Sequence, residues 1–293
     1  MQKKLKNFLQ DGFVKFENIL DPLKCLQLYE KLKNDRNWGP NLFQSEESYL
    51  DEFKHKPIKK VNPGKGIQNL IDKFDLNFIE NNNHILKILH KILGNNFEIM
   101  LSKFVVAVPK KWMPNYVKKI HNFNTANFNP YIKKEYRDVT YFRGIDYHMD
   151  SIDWENNDNK FVTMYVYLNN VDENMSPLNI VKQSHLKGPT SFPHFIKDDN
   201  SSKYLQYSSD NKLFREYEKE TLIGNEGTVY FWTSNTLHGT APSISDIDNF
   251  RISVRYLIKK KDENSKGLID QLINEKKVGI TKKKNPFYKT ILK

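Results

Sequence analysis

The stretch "YHMDSIDW", residues 147–154, sets a histidine and an aspartate two apart, His148 and Asp150. With 8 histidines and 19 aspartates in 293 residues, chance alone gives roughly half of one His-x-Asp pair, so the spacing means little without partners elsewhere. In a strand alternate side chains face the same side. His148 and Asp150 therefore point together, as two ligands of one ion must. A third ligand has to come from a distant strand, and His238 in "GTVYFWTSNTLHGTAP" sits just past a strand beginning at Gly227. Two histidines and one carboxylate on one face of a metal form the facial triad associated with non-haem Fe(II) oxygenases. Its open positions let a cosubstrate and dioxygen bind the same ion.

Thirteen residues beyond His238 comes Arg251, opening "RISVRYLI". The planar fork of arginine suits bidentate capture of a carboxylate. Arg251, Ser253 and Arg255 share strand parity, and with only 6 arginines in the chain two on one face of one strand is informative. Thr240, two residues after His238, offers a hydroxyl toward the same pocket.

The order His-x-Asp, distal His, then Arg on the last core strand resembles the phytanoyl-CoA dioxygenase family of Fe(II)/2-oxoglutarate oxygenases. Other segments carry the resemblance further. "DGFVKFENIL" followed by a helix is similar to that family's N-terminal segment. "YLNNVDENMSPLNIVKQSHLKG" resembles its stretch ending in Pro-Gly-Ser-His, with Lys182 and Gln183 standing where the family has Pro-Gly. Together these cover about residues 10–258, with a gap across 109–140.

The resemblance implies iron on His148, Asp150 and His238, and 2-oxoglutarate on Arg251, with Thr240 at the family's small hydroxyl position. Lys103 in "LSKFVV" is the nearest candidate for the polar residue on the first core strand that assists the cosubstrate. It also implies a double-stranded β-helix, a jelly-roll, cupin-like barrel, mainly β with flanking helices. Dioxygen is then the co-reactant, a substrate C–H bond is hydroxylated, and succinate and carbon dioxide are released.

Three rivals are weighed against this. A related halogenase needs a small residue in place of Asp150. A nucleic-acid demethylase of the superfamily carries two arginines six apart on the last strand, whereas Arg251 and Arg255 are four apart, and no stacking platform for single strands is evident. A non-catalytic jelly-roll binding protein has no need of a cosubstrate anchor such as Arg251.

The elements that must position these residues follow from pattern. The first third reads as helices around one or two short strands. "KKLKNFLQ" stops at Gly12, "FVKFENI" alternates like a strand, and Asp21-Pro22 starts a helix with Leu23, Leu26 and Tyr29 or Leu32 on one face. "NHILKILHKILG" is a second amphipathic helix, burying Ile85, Ile88, Leu89, Ile92 and Leu93 and leaving His84 and His90 at the surface. From residue 97 the period becomes two, and "FEIMLSKFVVAV", "YFRGIDYHMD", "KFVTMYVYL", "LNIV", "GTVYFWT" and "RISVRYLI" read as short strands of a sandwich or barrel. Tyr165 and Tyr167 either line the pocket or pack as core. Cys25 packs inertly on its helix. His185 is structural, Asp146 a solvated carboxylate, and His55, His121 and His194 loop residues.

This organises the chain as one oxygenase domain, 1–293. A mainly helical part over 1–95 packs on a jelly-roll core over 96–258, and a basic helix and tail cover 259–293. The Asn- and Lys-rich connection at 109–140 is long enough to be a lid. The net charge of +11 is local: residues 101–143 and residues 259–293 each carry a net +7. Eight cations of the first segment, Lys110, Lys111, Lys118, Lys119, Lys133, Lys134, Arg137 and Arg143, precede the His-x-Asp strand. They suggest an anionic small-molecule substrate drawn in by charge, although a solvated lysine face is the plainer reading of either segment. No apolar run is long enough for a membrane span and no signal peptide is visible. The one cysteine excludes an internal disulfide framework, so a cytoplasmic protein without membrane or nucleic-acid partners is expected.

Overall fold

The computed structural model describes residues 2–54, 69–121, 126–153, 160–187, 194–199, 202–208, 211–240, 250–262 and 264–272. His55, the stretch "SISDIDN" between His238 and Arg251, and residues beyond 272 lie outside these.

Six helices flank the strands: α1 (Gln2–Asp11), α2 (Pro22–Asp35), α3 (Glu46–Phe53), α4 (Asn77–Glu80), α5 (Asn83–Leu93) and α6 (Asn115–His121). The strands are β1 (Phe13–Phe16), β2 (Phe97–Ala107), β3 (Ala126–Asn127), β4 (Thr140–Arg143), β5 (Ile145–His148), β6 (Phe161–Tyr167), β7 (Leu178–Val181), β8 (Phe195–Asp198), β9 (Tyr204–Ser208), β10 (Arg215–Leu222), β11 (Val229–Thr233), β12 (His238–Thr240) and β13 (Ile252–Lys260). They form a seven-stranded sheet in the order β1-β11-β6-β13-β2-β4-β3 and a six-stranded antiparallel sheet in the order β5-β12-β7-β10-β9-β8. The fold is the expected double-stranded β-helix, mainly β with flanking helices.

Strand β6 shows why the core divides in two. Its sequence FVTMYVY is buried at every position, because both faces of the sheet are covered. Val162, Met164 and Val166 pack with α1, α2 and α5 in one apolar cluster. Tyr165 and Tyr167 face the other way, into a second cluster with Phe13, Phe142, Leu178, Ile180, Tyr230 and Trp232 that fills the space between the sheets. Both tyrosines therefore line the barrel interior.

Helix α2 is capped as its sequence requires, Asp21 accepting from the backbone NH of Leu23 with Pro22 in the first turn. Its buried stripe is Cys25, Leu28, Tyr29 and Leu32, and Leu23 is exposed. The expected face is rotated, because the whole stripe is set by what the helix lies on and not by its first leucine. Helix α5 buries the five predicted residues and ends at Gly94.

The connection over 109–140 carries more structure than its composition suggests. Helix α6 and three single helical turns lie in it. Trp112, Tyr116, Val117, Phe128, Tyr131 and Ile132 are buried in the same cluster as the N-terminal helices. Arg137 is buried too, bidentate to Glu52 at 2.6 and 2.7 Å and donating to Ile132 O. Arg143 is buried on the opposite face of β4 from Phe142. Lys110, Lys111, Lys119 and Lys134 are exposed.

Candidate metal and cosubstrate site

The site forms where the two sheets meet. In the smaller sheet β12 pairs antiparallel with β5, and His238 sits directly across from His148. A register shift between His238 and Thr240 follows, and the close approach there needs Gly239. A Cβ at that position would lie 2.8 Å from Ile145 O and 3.1 Å from Tyr147. The turn delivering His238 is tied back to β7: Ser184 Oγ donates to Val181 O at 2.7 Å and accepts from Leu237 NH at 2.8 Å. Ser184 follows Gln183, whose φ of 63° is the left-handed conformation that glycine adopts at least cost. His185 is buried, as expected of a structural residue, with Nε2 3.1 Å from Leu9 O.

Strand β5 ends at His148, and Asp150 opens a short 3-10 turn. The two ligands therefore converge through that turn and not by strand alternation alone. His148, Asp150 and His238 each offer a donor atom, and the three atoms lie within 4.8 Å of one another. His148 Nε2 is 4.0 Å from Asp150 Oδ1, and His238 Nε2 is 3.8 Å from Asp150 Oδ2. The imidazole rings stand 4.4 Å apart. Each ring is oriented by its other nitrogen: His148 Nδ1 is 2.8 Å from Asp146 O, and His238 Nδ1 is 2.9 Å from Thr236 O. This leaves both Nε2 atoms turned toward the carboxylate, the arrangement in which a metal-binding histidine is held by a backbone carbonyl. The Asp146 side chain itself is exposed.

The protonation states suit an ion. Burial drives His238 down to about 4, against the pull of Asp150, so its imidazole is neutral near pH 7. Burial opposes ionisation of Asp150. The Arg255 guanidinium, then the two imidazoles and Thr163, outweigh that and hold the carboxyl well below the usual carboxylate range. An ion about 2.1 Å from each donor requires adjustments of about 1 Å in these side chains. The residues present fit a divalent metal.

Arg251 stands across the barrel at the head of β13. It is completely buried, and its Cζ lies 5.0 Å from the Phe142 ring and 5.8 Å from the Tyr165 ring. None of its three guanidinium nitrogens meets an acceptor in full hydrogen-bond geometry among the described residues, and the Tyr167 hydroxyl lies close enough to interact with the cation. That hydroxyl donates to Leu222 O. Thr240 Oγ1 and Ser253 Oγ are also buried without a partner among the described residues. A buried cation and two buried hydroxyls left open in this way fit a carboxylate ligand. Lys103 is buried as well, but register sets it across from Arg255. The Arg251 carbonyl instead accepts from Ala107 NH.

Three further residues meet Asp150, and of these only Arg255 stands out in the sequence, by sharing strand parity with Arg251. Thr163 Oγ1 donates to Oδ2 at 2.5 Å, Trp232 Nε1 donates to Oδ2 at 3.1 Å, and an Arg255 Nη2 donates to Oδ1. Alternation along β6, β11 and β13 puts all three inside the barrel, so the pattern could have nominated them once those strands were paired. His194, expected as a plain loop residue, lies near enough to His148 and His238 to feel their charge. Burial lowers it to about 3, and its Nδ1 is 3.2 Å from the Tyr207 hydroxyl. His121 lies at the end of α6, its Nε2 2.7 Å from the Tyr131 hydroxyl.

A family model for phytanoyl-CoA dioxygenase (PhyH) matches residues 8–252. Among solved structures, the non-heme alpha ketoglutarate dependent carbocyclase SnoK from nogalamycin biosynthesis aligns at a TM-score of 0.54 with 13% identity, over 89% of this chain and 85% of that one. EctD from S. alaskensis, solved with 2-oxoglutarate and 5-hydroxyectoine, aligns at 0.46 with 14% identity, over 88% and 76%. A search of curated proteins finds no match. The SnoK alignment supports the barrel fold, and the family model spans well over half of the sequence. The chain belongs to the phytanoyl-CoA dioxygenase (PhyH) family.

Proposed function

We propose that this protein is an Fe(II)- and 2-oxoglutarate-dependent dioxygenase that hydroxylates a C–H bond of a small, anionic metabolite. One observation carries the reading: a His-Asp-His cluster, with Asp150 and His238 buried and His148 half-buried, shares the barrel interior with a fully buried arginine whose nitrogens meet no acceptor in hydrogen-bond geometry among the described residues. His148, Asp150 and His238 would hold the iron. When bound, the iron supplies the redox chemistry by which dioxygen oxidises both 2-oxoglutarate, to succinate and carbon dioxide, and the substrate.

The chain's own residues do the rest. Arg251 forks onto the far carboxylate of 2-oxoglutarate, and Thr240 offers that carboxylate a hydroxyl. Lys103 adds positive charge on the same inner face. The rings of Phe142, Tyr165 and Trp232 keep bulk water from the cosubstrate, which strengthens every polar contact made to it. Exposed Lys110, Lys111, Lys119 and Lys134 give the surface before β4 a positive field that raises the on-rate of anions. No helix among the described residues is long and apolar enough to cross a membrane. The single cysteine, buried in α2, fits a reducing compartment such as the cytoplasm.

The deciding experiment is succinate release with Fe(II), 2-oxoglutarate and a metabolite panel. Substrate-dependent succinate at a stoichiometry near one per oxidised product is expected. A protein that binds metal yet releases no succinate with or without metabolites is a binding module. For the favoured substrate, kcat/KM should fall steeply with ionic strength, and charge reversal at Lys119 and Lys134 should flatten that fall. A salt-independent kcat/KM sinks the anionic assignment.

A further inference from the structure

Asp150 is the most crowded carboxylate in the site. An ionised carboxylate has two oxygens and about four lone-pair directions. Thr163 and Trp232 both donate to Oδ2, and Arg255 donates to Oδ1. Three of the four directions are therefore taken by protein donors. The one left is on Oδ1, the oxygen 4.0 Å from His148 Nε2.

We infer that Arg255 is a positioning residue for the metal. By closing one lone pair of Oδ1 while Thr163 and Trp232 close Oδ2, it makes Asp150 a one-atom ligand that meets the metal through Oδ1 alone, and so keeps further coordination positions free. This rests on the reading of the triad as a metal site. The geometry around Arg255 suits the role. It lies on β13 with Tyr165 and Lys103 directly across on the neighbouring strands, so its stem is flanked by ordered residues of the seven-stranded sheet. Its guanidinium reaches across to a carboxylate that belongs to the other sheet. A lysine cannot reproduce this: its ammonium has three rotating donors and no plane to fix the carboxylate's tilt. The role differs from that of Arg251, whose nitrogens meet no protein acceptor in full hydrogen-bond geometry among the described residues.

The test uses Co(II) alone as the probe, with the full-length chain. Dissociation constants come from calorimetry, and coordination from the visible absorption of bound Co(II). Loss of such outer partners typically weakens metal binding about 10- to 100-fold, and Arg255→Met is expected to fall in that range. Its Co(II) absorption should change, because a second oxygen direction opens to the ion. Arg255→Gln keeps a neutral donor and should recover part of the affinity, and Arg255→Lys should recover less of the spectrum than of the affinity. If Arg255→Met fails to fold, Trp232→Phe removes one Oδ2 donor but keeps a ring, and the same direction of change is expected.

A folded Arg255→Met with parent-like affinity and parent-like absorption overturns the inference, as does tighter binding. A purely structural role would lower the melting temperature and leave the spectrum of the folded protein unchanged. His238→Ala is the control that separates the two readings. A parent that does not bind Co(II), or binds it as well without His238, overturns the proposed function and this inference with it.

Discussion

Arg251→Met is expected to stabilise the protein while abolishing its capture of 2-oxoglutarate. The guanidinium is fully buried and its three nitrogens meet no acceptor in full hydrogen-bond geometry among the described residues. Leaving a buried polar group unsatisfied costs about 1–3 kcal/mol, and more when it is charged. Three such nitrogens set a penalty of about 3–9 kcal/mol. The Phe142 and Tyr165 rings near Cζ return about 0.5–2 kcal/mol each. Methionine keeps much of the stem's packing and discards the cation, so a net gain of about 2 kcal/mol is reasonable. With an unfolding entropy of about 2.1 cal/mol/K per residue, that gain raises Tm by roughly 3 °C for a chain of this length. Binding moves the other way. Losing one partner of a buried charge pair costs about 2–5 kcal/mol, or roughly 30- to 4,000-fold in affinity. Thermal unfolding with and without 2-oxoglutarate, at fixed Co(II), reads both effects in one assay. At 100 times the parent's Kd the parent gains about 2.7 kcal/mol, and a variant weakened about 30-fold or more gains less than about 0.9 kcal/mol. A variant that melts several degrees below the parent, or that keeps the ligand-induced shift, refutes the reasoning.

Three further outcomes are expected. His238→Ala should bind no metal and turn over no substrate while melting within a few degrees of the parent. Asp150→Ala should be much less stable, by about 3–5 kcal/mol, because it strands a half-buried arginine and two buried donors. Circular dichroism and calorimetry check both, and an Asp150→Ala protein as stable as the parent contradicts the described cluster. His121 provides a pH test away from the metal. Burial lowers it from 6.5 to about 4, so between those values the unfolded chain binds the proton that the folded chain refuses. Stability present at neutral pH is thus lost as pH falls from 6.5 toward 4, by at most about 3 kcal/mol from this residue. His121→Gln should flatten the fall in Tm between pH 7 and 4.5, and parallel curves for parent and variant rule the effect out.

Much of the site was legible because its residues lie at short spacings in or beside strands, with Asp150 brought in by a 3-10 turn and not by alternation. His148, Asp150, His238, Arg251 and Thr240 stand out by type and spacing, and all five come to the barrel interior or its mouth. Thr163 and Trp232 did not stand out. Their part in the site depends on β6 lying between β11 and β13, a pairing between segments scores of residues apart that no local pattern encodes. Lys103 is the nearest candidate in the sequence for assisting the cosubstrate, and a ladder with Ile252 opposite Val106 sets it directly across from Arg255. In α2 several faces were nearly equally apolar, and only the sheet beneath chose Cys25 and Leu28 over Leu23. Over 109–140 asparagines and lysines masked Trp112, Tyr116, Phe128 and Tyr131, which are the residues that tie that segment down.

The bonds around Asp150 also join the two halves of the barrel. The carboxylate follows β5 in the six-stranded sheet, and its three donors come from β6, β13 and β11 of the seven-stranded one. The mouth is latched by the protein itself, with the carboxylate as the bolt. Such a centre is preformed, so the free energy of metal binding is spent on coordination and not on ordering the chain, unlike small zinc domains that exist only when loaded. Loading then has the character of a lock accepting a key already cut: little apolar surface is buried on metal uptake, and the heat-capacity change is small. On the proposed assignment a chelator would take the ion and leave the barrel standing, ready to be refilled without a folding step.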